Sequence, residues 1–314
     1  MEPTTPAAPI ESRLAHGPPI VIDGGTGTEL ERMGATLHEE AWSALAALTD
    51  PHILRRVHSA YVDAGAEIII ANTYSCNYHM MMSAGLTDEF DPANREALKL
   101  AREVRETESA SGERPIWVAG SMSTTTLSTG LNRSIIDEAG SPGHGYRAQA
   151  RIIADVGVDL IMLEMMRDVT ETRLCLQAAL ETGLPVWLGF SVERGPAGDL
   201  WLYGSRTPFE EGVAEVLDGG DEPQAIGVMH SEIELTPDAL QLVRRLCGAP
   251  VYAYPHHGVF EIPNWRFDNT LSPDEFAAAA IEWVALGARA VGGCCGIRPA
   301  HIATLRSAID QTGR

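Results

Sequence analysis

Residues 288–296, ARAVGGCCG, decide how this chain is read. The stretch opens as a short apolar run and ends in adjacent cysteines, Cys294 and Cys295, held between glycines. Neighbouring side chains of a strand point to opposite faces. Two neighbouring sulfurs can therefore meet one metal only where the chain leaves strand geometry. Gly292, Gly293 and Gly296 supply that freedom. The stretch reads as a soft-ligand metal half-site at the carboxyl end of a strand, short of at least one ligand from elsewhere. The competing reading is two small core residues, since free cysteine is among the most buried residue types. The rest of the chain has to choose between them.

Seven apolar runs of the same kind lie upstream: 19–24 (PIVIDG), 67–74 (EIIIANTY), 115–123 (PIWVAGSMS), 159–166 (DLIMLEMM), 185–192 (PVWLGFSV), 225–230 (AIGVMH) and 250–257 (PVYAYPHH). Most are near-continuous rather than alternating, as strands buried on both faces are. Helix signals separate them. Thr49-Asp50-Pro51 precedes a helix through Tyr61 and Val62. Asp168 and Glu171 have N-cap and N3 spacing, Pro237 opens another helix, and Ser272 with Glu275 has capping-box spacing. Several helices stop at a glycine before the next strand.

Eight strands alternating with helices predict an α/β fold of the (β/α)8 TIM-barrel type. A doubly wound sheet is the runner-up, and it usually carries G-x-G-x-x-G after its first strand. Gly25 and Gly27 fit the start of that motif, but the third glycine is missing. Residues 1–18 read as a flexible lead-in and 19–314 as one barrel domain. Loops 120–141 and 193–204 read as elaborations of the barrel's upper face.

At 314 residues, with 45% hydrophobic and 21% charged, the chain fits a soluble globular protein with a large core. A net charge of −20 argues against nucleic acid or an anionic membrane surface as partner. No apolar run reaches bilayer-spanning length, and the N-terminus lacks the basic and apolar regions of a secretory signal. The five cysteines form no disulfide framework, so a reducing, cytoplasmic setting is expected. Cys76, Cys175 and Cys247 read as packing residues.

Barrels concentrate chemistry at the carboxyl ends of their strands. Asp23 closes the first predicted strand, Asn72 and Thr73 the second, and Glu164 interrupts the fourth. His230 ends the sixth, His256 and His257 the seventh, and Cys294 and Cys295 the eighth. The sixth and eighth strands stand two positions apart around the ring, so their side chains can reach a common point. His230, Cys294 and Cys295 then make a Cys2His set with one position left for substrate, the pattern of catalytic zinc. Thiolates favour Zn2+ over magnesium or calcium. Such an ion can deprotonate a bound thiol near neutral pH, giving a competent nucleophile. Plainer readings stand beside these. His230 could be a buried histidine bonded to a carbonyl. Glu164 could pair with Arg167 or Arg173, although a carboxylate inside LIMLEMM is costly to bury without a partner. Asp23 and the turn Gly24, Gly25, Thr26, Gly27 and Thr28 could simply close a loop. His256 and His257 could be surface or lid residues.

These residues resemble the homocysteine S-methyltransferase family. The resemblance runs through VIDGGTGTELERMG, AGAEIIIANTYSCN and LIMLEMMRDVTE. It is most specific in SPDEFAAAAIEWVALGARAVGGCCGIRPAHI. It implies a (β/α)8 barrel, methyl transfer to the sulfur of homocysteine, and a zinc site in which the tandem cysteines are two of three ligands. It also implies that Glu164 and the Asp23–Thr28 turn bind the amino and carboxyl groups of the acceptor. That suits a carboxylate facing an ammonium and backbone donors facing a carboxylate. Asn72 joins them as a candidate substrate contact.

The chain departs from the family pattern on the same face. Where the family reads G-V-N-C, this chain reads Gly227-Val228-Met229-His230. Imidazole for thiolate makes the site one charge more positive, which lowers the pKa of a bound thiol and weakens its thiolate as a nucleophile. Loop 120–130 lacks a G-P-Y-G turn, and YAYPHHGVFEIPN stands in place of Y-P-N-x-G. The expected activity is zinc-dependent transfer of a methyl group from a sulfonium or quaternary ammonium donor to an amino-acid thiol. S-methylmethionine or S-adenosylmethionine is favoured, because the chain has no room for cobalamin or folate modules. The expected partners are these small molecules, with no nucleic acid and no membrane; oligomeric state is open. A diverged member with another acceptor or a demethylation reaction is the alternative. A non-enzymatic binder with a collapsed metal site is the third reading.

Overall fold

Each apolar run becomes a parallel strand, usually shorter than the run that announced it. The strands are β1 (Ile20–Val21), β2 (Ile68–Ile70), β3 (Trp117–Ser123), β4 (Leu160–Met166), β5 (Val186–Phe190), β6 (Ala225–Glu232), β7 (Val251–His256) and β8 (Ala288–Val291). The computed structural model describes residues 9–109, 114–124, 143–261, 264–266 and 271–312. Around the sheet the order is β1-β8-β7-β6-β5-β4-β3-β2, with parallel neighbours throughout. The ring closes between its two ends. Ile22 bridges Ile68 in parallel, Asp23 N donates to Ile68 O at 3.0 Å, and Glu67 N donates to Val21 O at 2.7 Å. A doubly wound sheet would stay open, so the barrel reading holds.

One short helix, α1 (Ile10–Ala15), precedes the barrel, and α2 (Thr26–Arg32) follows β1. The crossovers are α3 (Pro51–Asp63), α4 (Phe90–Glu108), α5 (His144–Val156), α6 (Val169–Leu180), α7 (Phe209–Leu217), α8 (Thr236–Leu246) and α9 (Pro273–Ala285); α10 (Pro299–Thr312) follows β8. Asp168 caps α6 by accepting from Glu171 N at 2.9 Å, and Ser272 with Glu275 forms a reciprocal capping box on α9. Pro237 sits one residue inside α8, which begins at Thr236, a difference within the usual fraying of helix ends.

Strand alternation divides the core in two. Val21, Ile69, Val118, Ile161, Leu188 and Val228 pack outward in the cluster that holds the helices. Ile20, Ile68, Trp117, Leu160, Trp187 and Tyr252 form the inward cluster. Both faces are dry, which is why the runs show no polar alternation. Inside the barrel, small residues oppose large ones: a Cβ on Gly227 would lie 2.6 Å from the Tyr252 ring.

The lead-in reading needs correction. Ile10 and Leu14 of α1 are 3% and 2% exposed and belong to the inward cluster. The helix plugs the amino-terminal mouth, where side chains such as Ile20 and Ile68 would otherwise meet water. Glu67 anchors it. One carboxylate oxygen accepts from Arg13 Nη2 at 3.0 Å; the other accepts from Val21 N at 3.1 Å and Arg306 Nη1 at 3.0 Å. Residues 1–8 lie outside the described residues.

Of the predicted upper loops, 193–204 holds most of an antiparallel hairpin, Val192–Arg194 against Leu200–Leu202. Residues 120–123 continue β3, and 125–142 lie outside the described residues. Among the described residues no helix is long and apolar enough to cross a membrane.

Candidate metal centre and substrate pocket

The third candidate ligand, His230, comes from a bulge. β6 and β7 run in register up to Met229 opposite Tyr254, and the next pair is Glu232 opposite His256. Three steps along β6 match two along β7, so one residue is extra. His230 lies in that bulge with φ +46°, a left-handed conformation without the freedom of glycine. Two buried serines staple the bend. Met229 O accepts from Ser191 Oγ at 2.8 Å and from Ser231 Oγ at 2.9 Å, while Val192 N donates to Ser231 Oγ at 2.9 Å.

The cysteines come from a turn. β8 ends at Val291, and the chain then folds against the ends of β1 and β7. Gly292 N donates to Ala253 O at 3.0 Å, Cys294 N to Pro255 O at 2.7 Å, and His257 N to Cys295 O at 2.9 Å. The glycines serve two purposes rather than the one expected. Gly296 alone of the three has positive φ, +82°. Gly292 is demanded by crowding, since a Cβ there would lie 2.7 Å from Ile22 O.

The three donor atoms meet. His230 Nδ1 lies 3.4 Å from Cys294 Sγ, the two sulfurs are 3.8 Å apart, and all three ligand atoms fall within 4.8 Å of one another. A tetrahedral zinc ion with Zn–S near ~2.3 Å and Zn–N near ~2.0–2.1 Å sets ligand separations of about 3.8 Å and about 3.6 Å. The donor set therefore fits zinc in element, and the two separations that Cys294 makes are close to those a tetrahedral ion sets. The electrostatics agree. The hydrogen bond to Cys295, then burial, holds the Cys294 thiol well above its ordinary range. Burial, with His256 and Arg167 adding, keeps the His230 imidazole neutral by pushing it well below its ordinary range. Two sulfurs this close resist joint ionisation unless a cation balances them, and a neutral imidazole is the form that ligates.

Glu164 closes the same mouth from β4. It is 7% exposed, and burial pushes its carboxyl up to about 7 while the Ser121 hydroxyl pulls the other way. Its charge is felt at Cys294 and Asp23. The next residue, Met165, is also left-handed at φ +57°, and Tyr74 Oη donates to its sulfur at 3.0 Å.

The Asp23–Thr28 turn reaches the cysteines: a Cβ on Gly25 would lie 2.7 Å from Cys294 O, and Gly296 N donates to Thr28 Oγ1 at 3.3 Å. Gly24 and Gly27 are closely covered, the first by Tyr61 and Ile297 O, the second by the Trp42 ring. Asp23 is fully buried. It accepts from Ile70 N at 2.8 Å and Tyr254 Oη at 3.0 Å, and burial raises its carboxyl well above the carboxylate range against those two bonds. Its first task is to tie three strands together. Thr26 starts α2. Asn72 lies on the same face, but its amide is engaged by Ser43, donating to the carbonyl at 2.8 Å and accepting from the hydroxyl at 3.0 Å. His257 Nε2 accepts from Leu271 N at 2.8 Å, and the His256 ring sits 4.8 Å from that of His230. Neither is a plain surface residue. Sequence reasoning missed Tyr254, Ser191 and Ser231. Tyr254 could have been found from its inward position two residues after Tyr252; the serines carry no such signal.

Comparison with known proteins follows the same outline. The profile of the family described as homocysteine S-methyltransferase matches residues 20–309. Homocysteine S-methyltransferase 4 of Zea mays is 30% identical over 93% of this chain and 89% of its own. Selenocysteine methyltransferase of Astragalus bisulcatus is 28% identical over 93% and 94%. The metallated form of the homocysteine methyltransferase MmuM from Escherichia coli superposes with a TM-score of 0.74 at 25% identity, covering 96% of this chain and 99% of that one.

Proposed function

This chain belongs to the homocysteine S-methyltransferase family, and we propose that it is a zinc-dependent S-methyltransferase acting on the thiol of homocysteine or a related amino acid. The methyl donor in this reading is a sulfonium or quaternary ammonium compound, with S-methylmethionine or S-adenosylmethionine favoured. The carrying observation is the convergence of His230 Nδ1, Cys294 Sγ and Cys295 Sγ within 4.8 Å, beside the buried Glu164. When bound there by these three residues, zinc would supply a Lewis acid that lowers the pKa of an acceptor thiol.

The protein's own groups do the rest. Glu164 is suited to hold the acceptor's ammonium. The Asp23–Thr28 turn, which packs on the cysteine turn through Gly25 and Thr28, is suited to its carboxylate through backbone N–H donors. Asp23 steadies that turn through Tyr254, whose hydroxyl also lies 2.9 Å from Gly24 O. In the transfer from a sulfonium donor, the old S–CH3 bond breaks and its electron pair stays on the donor sulfur, which becomes a neutral thioether. The acceptor sulfur forms the new S–CH3 bond and gives its proton to solvent. Positive charge on the donor is neutralised as the methyl moves, so a water-poor mouth favours the transition state. A chain of net charge −20 suits a cationic donor. The reading also needs reduced sulfurs, which fits a reducing compartment such as the cytoplasm.

The test pairs metal analysis with methylation of homocysteine by S-methylmethionine, S-adenosylmethionine and betaine. A folded, zinc-loaded protein that methylates no thiol with any of them contradicts the proposal. His230 favours one second reading, a branch with a different acceptor, because imidazole leaves the site one charge more positive than a thiolate would. In that case His230→Cys creates homocysteine methylation where the native protein has none.

A further inference from the structure

Strained non-glycine backbone persists only where its surroundings over-determine it. Ser191 and Ser231 fix the carbonyl of Met229, on the amino side of His230. The carboxyl side has its own clamp. His256 ends β7 directly opposite Glu232, where the bulge closes. Its ring lies 4.8 Å from the His230 ring at an interplanar angle of 54°. The backbone of His230 also faces the His256 ring and favours its protonated form, as a carbonyl does. His256 stands outside the three-atom ligand cluster, so it touches the ligand rather than acting as one.

We infer that His256 is a positioning residue for the metal centre: by holding the His230 carbonyl and packing against its ring, it locks the left-handed backbone that aims Nδ1 at Cys294. This inference rests on the metal reading above. Its physical content is simple. Relaxing His230 to an extended φ would return its side chain to strand alternation, away from the sulfurs. The metal would then keep two ligands of three. Partners that orient ligating histidines are typically worth about 10–100-fold in metal affinity.

The experiment uses the full chain, with zinc and cobalt(II) as probes. His256→Phe keeps a ring and removes the donor; His256→Asn and His256→Gln keep an N–H donor. Zinc affinity is measured by chelator competition, coordination by cobalt(II) absorption and zinc-edge fine structure, and folding by thermal unfolding. His256→Phe is expected to bind zinc about 10–100-fold more weakly and to lose the nitrogen contribution, giving the spectrum of His230→Ala. At least one amide variant is expected to recover the wild-type spectrum. A merely structural role would lower the unfolding temperature and leave the spectrum unchanged. If wild type binds with one nitrogen and two sulfurs and His256→Phe matches it in affinity and spectrum, this inference falls while the metal reading stands. If wild type takes up neither metal, both fall together. Should His256→Phe not fold, the amide variants decide; both giving the His230→Ala spectrum overturns the inference.

Discussion

Glu164 answers two opposed demands. Binding an ammonium needs its charge, and burial penalises that charge. Its carboxyl is pushed up to about 7 from an ordinary 4.5. A group with a raised folded pKa lends its full stability below pH 4.5, and that stability is lost as pH rises through about 7. At one pKa unit per ~1.4 kcal/mol, the loss approaches about 3 kcal/mol above pH 8. Glu164→Gln is therefore expected to raise the unfolding temperature at pH 8 and hardly change it at pH 4.5, while raising KM for the amino-acid acceptor. Calorimetry at both pH values and initial rates check it; an equal thermal gain at both would contradict the burial account. At this scale the candidate ligands were legible as a set, because His230, Cys294 and Cys295 stand where strands end and their donor atoms fall within 4.8 Å of one another. The engagements of Asp23 were not. Its partners, Ile70 N and Tyr254 Oη, lie 47 and 231 residues away in sequence. A sequence reveals a polar side chain but not who occupies its lone pairs.

At the scale of elements, the candidate metal centre depends on two departures from regular strand. The turn after β8 was readable from its glycines. The bulge in β6 was not, since it arises from register against β7 and carries no glycine at its strained residue. The sequence reading therefore stopped the sixth strand at His230, whereas β6 continues to Glu232. Ser231 is the residue that makes the bulge cheap to hold. Ser231→Ala strands the buried Val192 N–H and frees one bond to Met229 O. A destabilisation of about 1–3 kcal/mol is expected for the unsatisfied donor, read from the urea midpoint, with weaker zinc retention on dialysis. An unchanged midpoint and full zinc would mean that the bend is held elsewhere. Helix α1 escaped notice for a different reason. Six residues are too few for a clear period, and the Pro, Thr and Ala content around them reads as loose chain.

The whole barrel was the most legible feature, because eight doubly buried runs separated by capped helices admit few other closures. Its stability also has a weak point outside the candidate metal centre. His58 of α3 is fully buried, and neither ring nitrogen has a hydrogen-bond partner among the described residues. Burial pushes it down to about 4 from 6.5. A depressed histidine leaves stability intact above pH 6.5 and withdraws it as pH falls through about 4, by up to about 3 kcal/mol. His58→Met is expected to flatten the fall of the urea midpoint between pH 6.5 and 4; a parallel fall in the variant would place the acid weakness elsewhere. The central claim concerns the candidate metal centre, and crystals of zinc-loaded protein test it most directly through anomalous scattering on either side of the zinc edge. The account predicts one peak, about 2.3 Å from both cysteine sulfurs and about 2.0–2.1 Å from His230 Nδ1. A map with no peak between those three atoms, or with the imidazole turned away from both sulfurs, would contradict it.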